Sequence, residues 1–550
     1  MKDDSKDLRF CLQLASVALL LTLPAVLLPT WVSTDSSTLY TPMIREFAAG
    51  NWSHAFYPMG PPAFLVFGGI LAATGISALT AAKLASALFY AATVFPVFYL
   101  NRLVWGRRTA VVTVWLFILC SRLLRYAGLG LLDTGKTFFL VLTVYGVFNF
   151  ARDPRWRATW VVAAGAIGLA LIRGEGVVFS LIALVALVIV ALRCAKPSDR
   201  RKALWRTAAA ILLFAAGIAP WLAYEYRTTG FPVTDQRQIR FVRPLMNGGT
   251  AAMPADPAIS LAGGDLGKRI DGERQPTPLQ RFWDRMVIEL FKGFFPPYLV
   301  LIVPVLVWRW RRRLDEPRHR LLLGCAVLHT VVLIGVLGGM SVQKRYVIAA
   351  LPLVLGWAAT GWIALTAAIR NHRAGNRRLV IALTAVVVVI LVWDGTKKIR
   401  PESKERKQEW RQVVVGAAAW LRSEGRELLP ANLPPIESTL LCYHNGRRPV
   451  VLTNFSQLTL LAEADLVQPS SYRYQRTFSV AELLDLCFLK QVDYVVADRH
   501  LRQQVPDLEQ AESLGRVLVP CYIATVAHSS NELVIYRFNP DPPLADEMQL

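Results

Sequence analysis

The chain is poor in what a soluble enzyme normally carries. Of its 550 residues only 18% are charged, too few to clothe a water-soluble globule of this length. Seven cysteines are scattered with no CxxC pair, which excludes a disulfide framework. Cys442, Cys487 and Cys521 share the C-terminal part, where one bridge and free buried thiols are both open readings. Histidines number seven. With no HExxH and no other ligand-spaced cluster, no protein-bound catalytic metal is expected. There is no GxxxxGK[ST], no strand-borne GxGxxG and no GxSxG, so P-loop, Rossmann and α/β-hydrolase sites are excluded. An activated substrate would then arrive through the membrane rather than as a bound nucleotide. Acids are scarce too: 39 against 61 Lys and Arg, a net charge of +22. In a soluble chain that excess would suggest nucleic acid. Here the cations sit in short clusters between apolar runs and no recognition motif accompanies them.

What is present is apolar length. The chain is 54% hydrophobic with a mean hydropathy of +0.37. Several runs approach the ~20 residues that cross a hydrocarbon core of about 30 Å. The expected fold is a polytopic α-helical membrane protein with a C-terminal soluble α/β domain outside the cytoplasm. Eleven spans are predicted, near 10–31, 79–100, 109–121, 136–150, 158–172, 177–192, 207–222, 287–307, 321–340, 346–369 and 379–394. The first run follows Lys2, Lys6 and Arg9 and lacks a small-residue cleavage site, so it reads as a retained span with its N-terminus inside. A further apolar piece, 61–76, opens with "GPPAF" and contains Gly68, Gly69 and Gly75.

Lys and Arg decide what that piece does. If 61–76 does not cross, the loops 1–9, 101–108, 151–157, 193–206, 309–320 and 370–378 lie inside with 25 cations. The opposite loops, 32–60, 122–136, 173–176 and 341–345, hold seven. The positive-inside rule therefore reads 61–76 as re-entrant or interfacial and puts the C-terminus outside. Residues 1–395 form the membrane domain. It has a first outer loop at 32–60 and a long Gly- and Pro-rich outer loop at 223–286. Residues 396–550 form the soluble domain: a helix in "EWRQVVVGAAAWLRSEG", strand–turn–strand around Asn445-Gly446, a helix and buried strand in "SVAELLDLCFLKQVDYVVADRH", and a closing hairpin in "GRVLVPCYIATVAHSSNELVIYRF". No internal repeat is visible, and the acidic, proline-rich stretch near 539–547 ends the chain.

The predicted outer ends gather ionisable residues, which are costly at membrane depth and functional candidates for that reason. Asp35 and Tyr40 lie in the first loop; Arg122, Arg125 and Asp133 flank "RYAGLGLLDTGKTFF"; Arg173 and Glu175 form "IRGEG"; Lys344, Arg345 and Tyr346 form "QKRYVIAALP". Basic groups there suit a phosphate, and a carboxylate beside them suits proton transfer. Plainer readings stand beside these. Asp35 and Asp133 read equally as helix N-caps, Glu175 as the partner of Arg173, and Arg122, Arg125, Arg173, Lys344 and Arg345 as headgroup anchors. His54 reads as structural.

The order of these motifs resembles the C-type glycosyltransferase superfamily, in its dolichyl-phosphate-mannose–protein mannosyltransferase-like branch. That branch includes bacterial lipid A aminoarabinose transferases and lipopolysaccharide-core galacturonosyltransferases. The resemblance rests on "TDSSTLYTPMIREFAAGNWSHAFYPMGPPAF", "LLDTGKTFF", "GLALIRGEG", "APWLAYEYRTTGFPV" and "KRYVIAALP", and covers about residues 10–395. It implies a bacterial plasma-membrane enzyme. A sugar would pass from a polyprenyl-phosphate donor to a hydroxyl of a lipid, glycan or protein acceptor at the outer, periplasmic face. It assigns Asp35 as general base with Asp133 as the second acid, Arg173, Lys344 and Arg345 to the donor phosphate, and Tyr40, Glu175 and Tyr346 to substrate. One-step displacement would invert the anomeric centre. The family often has two adjacent acids in the first loop, whereas Ser36 follows Asp35 here, which argues against a metal-assisted version. Two other classes fit the hydropathy: a lipid-linked saccharide flippase or transporter, which predicts inverted repeats, and a membrane scaffold. An O-antigen ligase or polymerase would share the donor.

Overall fold

A computed structural model describes residues 2–27, 36–56, 60–194, 196–229, 298, 316–337, 344–372, 380–382, 384–389, 391, 416–421, 450–453, 465–467, 479–489, 492–497, 501–502, 505, 508, 518–525 and 532–538. The chain forms two compact units. One comprises Met1–Ser36, Met43–Ala252 and Arg274–Arg400, the other Ser37–Pro42, Met253–Glu273 and Pro401–Leu550.

The first unit is a bundle of apolar helices: α1 (Lys2–Leu27), α2 (Thr41–Ala48), α3 (Trp52–Ala55), α4 (Pro62–Ala73), α5 (Ala78–Ala92), α6 (Val94–Trp105), α7 (Arg107–Ile118), α8 (Ser121–Gly128), α9 (Asp133–Arg152), α10 (Trp156–Ile172), α11 (Gly176–Leu192), α12 (Pro197–Thr229), α13 (Pro317–Leu337), α14 (Lys344–Val347) and α15 (Leu351–His372). Among the described residues five stretches are long and apolar enough to cross a bilayer: Ser5–Leu27, Ala78–Trp105, Asp133–Arg152, Pro197–Thr228 and Arg345–Ala367. They become six if α7 and α8, bent by 52°, count as one. The chain is a multi-pass membrane protein. Large apolar side chains such as Leu20, Leu181, Val185 and Leu212 are exposed where lipid would lie. The interior mixes large side chains such as Phe98, Phe117 and Trp357 with small ones such as Ala163, Ala166 and Ala170, which let helices approach closely.

Local chemistry sets the breaks. Ser77 caps α5 by accepting from the Thr80 N–H. The helix interrupts at Thr93, because Pro96 has no N–H to offer the Ala92 carbonyl. The Asp153-Pro154 pair separates α9 from α10, since the residue before proline avoids the helical region. The N-terminal helix is fastened by buried Asp7, which pairs with Arg102 at 2.7 Å and Arg107 at 2.8 Å.

Three expectations change. Residues 1–9 are mostly α1 rather than a loop, 121–128 are helix α8, and 223–229 complete α12 rather than begin a loop. The segment 61–76 holds the 12-residue α4, which at ~1.5 Å per residue spans about 18 Å and is too short to cross alone. The span at 287–307, apart from Tyr298, and residues 230–286 of the outer loop lie outside the described residues.

In the second unit, β1 (Val450–Leu452), β2 (Asp465–Val467), β3 (Tyr494–Ala497), β4 (Leu518–Thr525) and β5 (Glu532–Phe538) form one sheet in the order β2-β1-β3-β5-β4. The pairs β1–β2 and β1–β3 are parallel; β3–β5 and β4–β5 are antiparallel. The helix Val480–Leu489 precedes β3 and packs Leu483 and Cys487 on the sheet core with Val495 and Val534. Helix-then-strand and the closing hairpin stand as expected. The Asn445-Gly446 turn lies outside the described residues, and β1 is flanked by parallel strands rather than by a hairpin partner. Cys487 and Cys521 are free thiols; Cys442 lies outside the described residues.

Candidate functional site: a buried ionic cluster

Asp133 is the first residue of α9, set there by a turn that only glycine tolerates. Gly130 has φ +66°, and a Cβ on it would lie 2.8 Å from Ser36 Oγ. Ser36 instead donates its hydroxyl to the Gly130 carbonyl at 3.1 Å. The turn is tied to α5 as well: Ser86 Oγ donates to Leu131 O at 2.7 Å and Thr134 Oγ1 to Ser86 O at 2.9 Å. One turn into the helix, Lys136 shares the face of Asp133, since positions i and i+3 are neighbours.

The second half comes from the tight α10–α11 connection. Arg173 is extended, with φ −163° and ψ 136°, and Gly176 restarts the helix. A Cβ on Gly176 would run into the Leu169 carbonyl oxygen, so the turn that presents Arg173 and Glu175 requires glycine there. Arg173 Nη1 pairs with Asp133 Oδ1 at 3.0 Å, Arg173 Nε with Glu175 Oε1 at 2.6 Å, and Lys136 Nζ with the same Glu175 oxygen at 3.0 Å. The side chains of Lys136 and Glu175 are 0% exposed and that of Asp133 is 1% exposed. Two carboxylates and two cations are thus interleaved and charge-balanced in a site almost without water. Such a set persists only when its geometry is good, because desolvating each ion is costly.

The third part is α14. Arg173 Cζ lies 4.2 Å from the centroid of the Tyr346 ring and Arg345 Cζ 5.1 Å from it, and Arg345 Nη2 donates to Tyr346 Oη at 3.1 Å. The ring is packed by two guanidiniums, a cation–π arrangement that fixes both. Arg122, Arg125, Asp133 and Arg345 all lie within electrostatic reach of the Tyr126 hydroxyl. On the inner side of the cluster, buried His329 of α13 stacks on Phe179 with centroids 4.7 Å apart. His329 is within electrostatic reach of Lys136 and Glu175. Leu140, Leu169, Phe179, Leu333 and Tyr346 pack as the apolar floor beneath.

Of the residues the sequence singled out, Asp133, Arg173, Glu175, Arg345 and Tyr346 come together. Lys344 opens α14 but its side chain lies outside the described residues, and so do Asp35 and the side chain of His54. Tyr40 is buried and falls in the second unit. Lys136, Tyr126 and His329 were missed. Lys136 counted as a loop cation, yet it is a wholly buried helix residue. Its signal was the i+3 spacing from Asp133 in "DTGK". Among the described residues no three His, Cys, Asp or Glu lie together as a metal site.

No family model matches the chain, and no curated protein sequence matches it. Solved structures do. ArnT from Cupriavidus metallidurans, in the apo state, superposes with a TM-score of 0.57 at 13% identity, covering 96% of this chain and 98% of that one. The same protein bound to undecaprenyl phosphate gives 0.54 at 13% identity, with the same coverage. The apo oligosaccharyltransferase of Archaeoglobus fulgidus gives 0.48 at 12% identity, over 97% of this chain and 75% of that one. The two ArnT comparisons show that this chain shares the fold of ArnT.

Proposed function

We propose that this chain, with the fold of the C-type membrane glycosyltransferases, transfers a sugar from a polyprenyl-phosphate donor to a hydroxyl acceptor at the outer face of the membrane. The observation that carries the reading is the buried cluster of Asp133, Lys136, Arg173 and Glu175, capped by Arg345 and Tyr346. A scaffold has no need to interleave four ionisable groups at so buried a position. A displacement that separates charge does, because fixed charges need no reorganisation as the reaction proceeds. The similar ArnT has been solved with undecaprenyl phosphate bound, which supports a polyprenyl phosphate as the lipid half of the donor.

In the proposed reaction the acceptor oxygen attacks the anomeric carbon. The bond from that carbon to the phosphate oxygen breaks and polyprenyl phosphate departs with the electron pair. The hydroxyl proton passes to Asp35, and the anomeric centre inverts. Ser36, the next residue, is bonded to the Gly130 carbonyl three residues before Asp133, which ties the end of the first loop to the turn that opens α9. Arg173 is tied through Nη1 and Nε to the two carboxylates. Its part is to hold Asp133 and Glu175 and to lend positive potential. Direct contact with the leaving phosphate falls to Arg345 and Lys344, a cationic pair suited to it. Tyr346 would contact the sugar or acceptor. With a single first-loop acid, no bound metal is proposed. The N-terminus is placed in the cytoplasm of a bacterium and the C-terminal domain outside it.

The test is transfer of labelled sugar from polyprenyl-phosphate sugars in vesicles holding matched amounts of wild type, Asp35→Asn or Asp133→Asn. Wild type should transfer, with and without a chelator. Asp35→Asn should lose at least ~100-fold, the usual contribution of a general base. Equal transfer by Asp35→Asn would remove the base from that residue and leave Asp133. No transfer by wild type from a broad donor and acceptor panel would remove the reading.

A further inference from the structure

The face of the molecule opposite the ionic cluster carries a second charged feature, which the proposed reaction does not use. Helix α12 has 33 residues, so at ~1.5 Å per residue it is about 50 Å long against a hydrocarbon core of about 30 Å. Its first turns must therefore stand in or beyond the headgroup layer. Three tryptophans mark the level of the interface at the starts of α10 and α12: Trp156 is 50% exposed, Trp160 56% and Trp205 67%. Exposed tryptophans at helix ends are the ordinary sign of that boundary.

Around this level lies a shallow, open and almost wholly apolar hollow of about 440 Å³ lined by Pro197, Arg200, Arg201, Leu204, Trp205 and Ala208. These positions share one face of α12. The two arginines stand at its polar end, and Leu204, Trp205 and Ala208 continue toward the bilayer. Arg200 Nε donates to the Cys194 carbonyl at 3.3 Å, which fixes its guanidinium at the helix start. Arg206 donates to the Pro154 carbonyl and sits 6.0 Å from the Trp156 ring centroid, joining α12 to α10. Residues 152–157 and 193–206 together carry nine Lys and Arg and two Asp, one of which, Asp153, is already paired with Arg155 at 2.6 Å.

We propose that this groove is a binding site for an anionic phospholipid of the leaflet it faces. The phosphate lies at Arg200 and Arg201, and one acyl chain runs along Leu204, Trp205 and Ala208. Charge complementarity selects the occupant. A zwitterionic phosphocholine would bring its own cation among nine fixed ones, whereas phosphatidylglycerol brings only the anion. The order along the helix, guanidinium first and apolar wall after, is the order of a phospholipid entering the bilayer. The lipid would fix the α10–α12 contact from outside, as the apolar cluster of Ala158, Val162, Ala166, Ala210 and Phe214 fixes it from inside. The inference holds whichever reaction the outer cluster performs.

The test is native mass spectrometry of the full chain released from nanodiscs of phosphatidylcholine with phosphatidylglycerol, read as preferential retention of the anionic lipid. The double variant Arg200→Gln with Arg201→Gln should lower that preference about tenfold, and the lysine pair should keep most of it. Lys6→Gln with Arg9→Gln removes the same charge elsewhere on the basic face and should change it little. Equal losses in both glutamine pairs would mean a diffuse surface potential and would overturn the site, as would no loss in either. A second readout is quenching by phosphatidylglycerol with brominated chains, compared between wild type and Trp205→Phe. Quenching should exceed that by brominated phosphatidylcholine, with the excess lost on replacing Trp205. An excess that survives in Trp205→Phe would place the lipid elsewhere.

Discussion

Lys136 places its amino group at 0% exposure, with Glu175 as its partner at 3.0 Å. Removing one ion of a buried pair costs more than the pair itself is worth, because the survivor stays desolvated. Lys136→Met should therefore lower unfolding stability by about 3 kcal/mol, near the low end of that class, since Arg173 still holds Glu175. The double variant Lys136→Met with Glu175→Gln should recover part of the loss. Thermal unfolding of the detergent-solubilised chain checks this, and a double variant no better than the single would mean the two ions do not depend on each other. Gly130 gives a second expectation at this scale. Alanine there must hold φ +66°, which costs a non-glycine residue about 1–2 kcal/mol, and its methyl must displace the Ser36 hydroxyl. The proposed sugar transfer should then fall further in Gly130→Ala than thermal stability does. An activity that merely tracks the folded fraction would separate Ser36 from the reaction.

At the scale of elements, the junction of β1 and β3 carries a buried acid. Asp493 accepts the Val450 N–H at 2.6 Å through Oδ2 and donates its own N–H to the Val450 carbonyl at 2.9 Å. Burial pushes its carboxyl up from 3.8 to about 6, although the Val450 hydrogen bond and Arg537 pull the other way. A raised acid binds its proton more tightly folded than unfolded. Its contribution is thus full below about pH 4 and lost as pH rises through about 6, by up to about 3 kcal/mol. Asp493→Asn keeps an acceptor for Val450 and should flatten that window, which hydrogen exchange at the Tyr494–Ala497 amides would register. A pH dependence unchanged in the variant would move the titration elsewhere. The same strand shows where sequence reading stops. Residues 480–497 were legible as helix then strand because helical spacing and a Val-rich run are local. The Asn-Gly signal before β1 suggested a hairpin, yet β1 pairs in parallel with Asp465–Val467 and Tyr494–Ala497, and no local motif announces partners that far along. The apolar runs were legible for the same local reason. Their ends were not, since α12 begins in "PSDRRK", where charge counting sees a loop. Lys136 was misread likewise: a cation at a span boundary looks the same whether water or Glu175 receives it.

At the scale of the molecule, the orientation of every helix after the first loop turns on α4. If its 12 residues crossed the membrane, each later loop would change sides, and 22 cations of those loops would face outward against six inward, the reverse of what insertion favours. A helix of about 18 Å cannot cross about 30 Å of hydrocarbon without carrying its polar ends into lipid. The same orientation decides which leaflet meets the Asp133–Arg173–Glu175 cluster, because that cluster sits at the N-terminal ends of α9 and α11 and the C-terminal end of α10. Truncations fused to alkaline phosphatase, active only outside, or to a green fluorescent protein, fluorescent only inside, check it. Fusions after Gly106 and after Lys196 should fluoresce, and a fusion after Gly174 should hydrolyse phosphate. The opposite pattern would make α4 part of a full crossing and turn the cluster to the cytoplasm. A donor there would have to be presented on the inner leaflet, and the anionic-lipid groove at Arg200 and Arg201 would face the outer one. One set of fusions thus decides on which side the proposed donor would be presented and which leaflet would supply the proposed lipid.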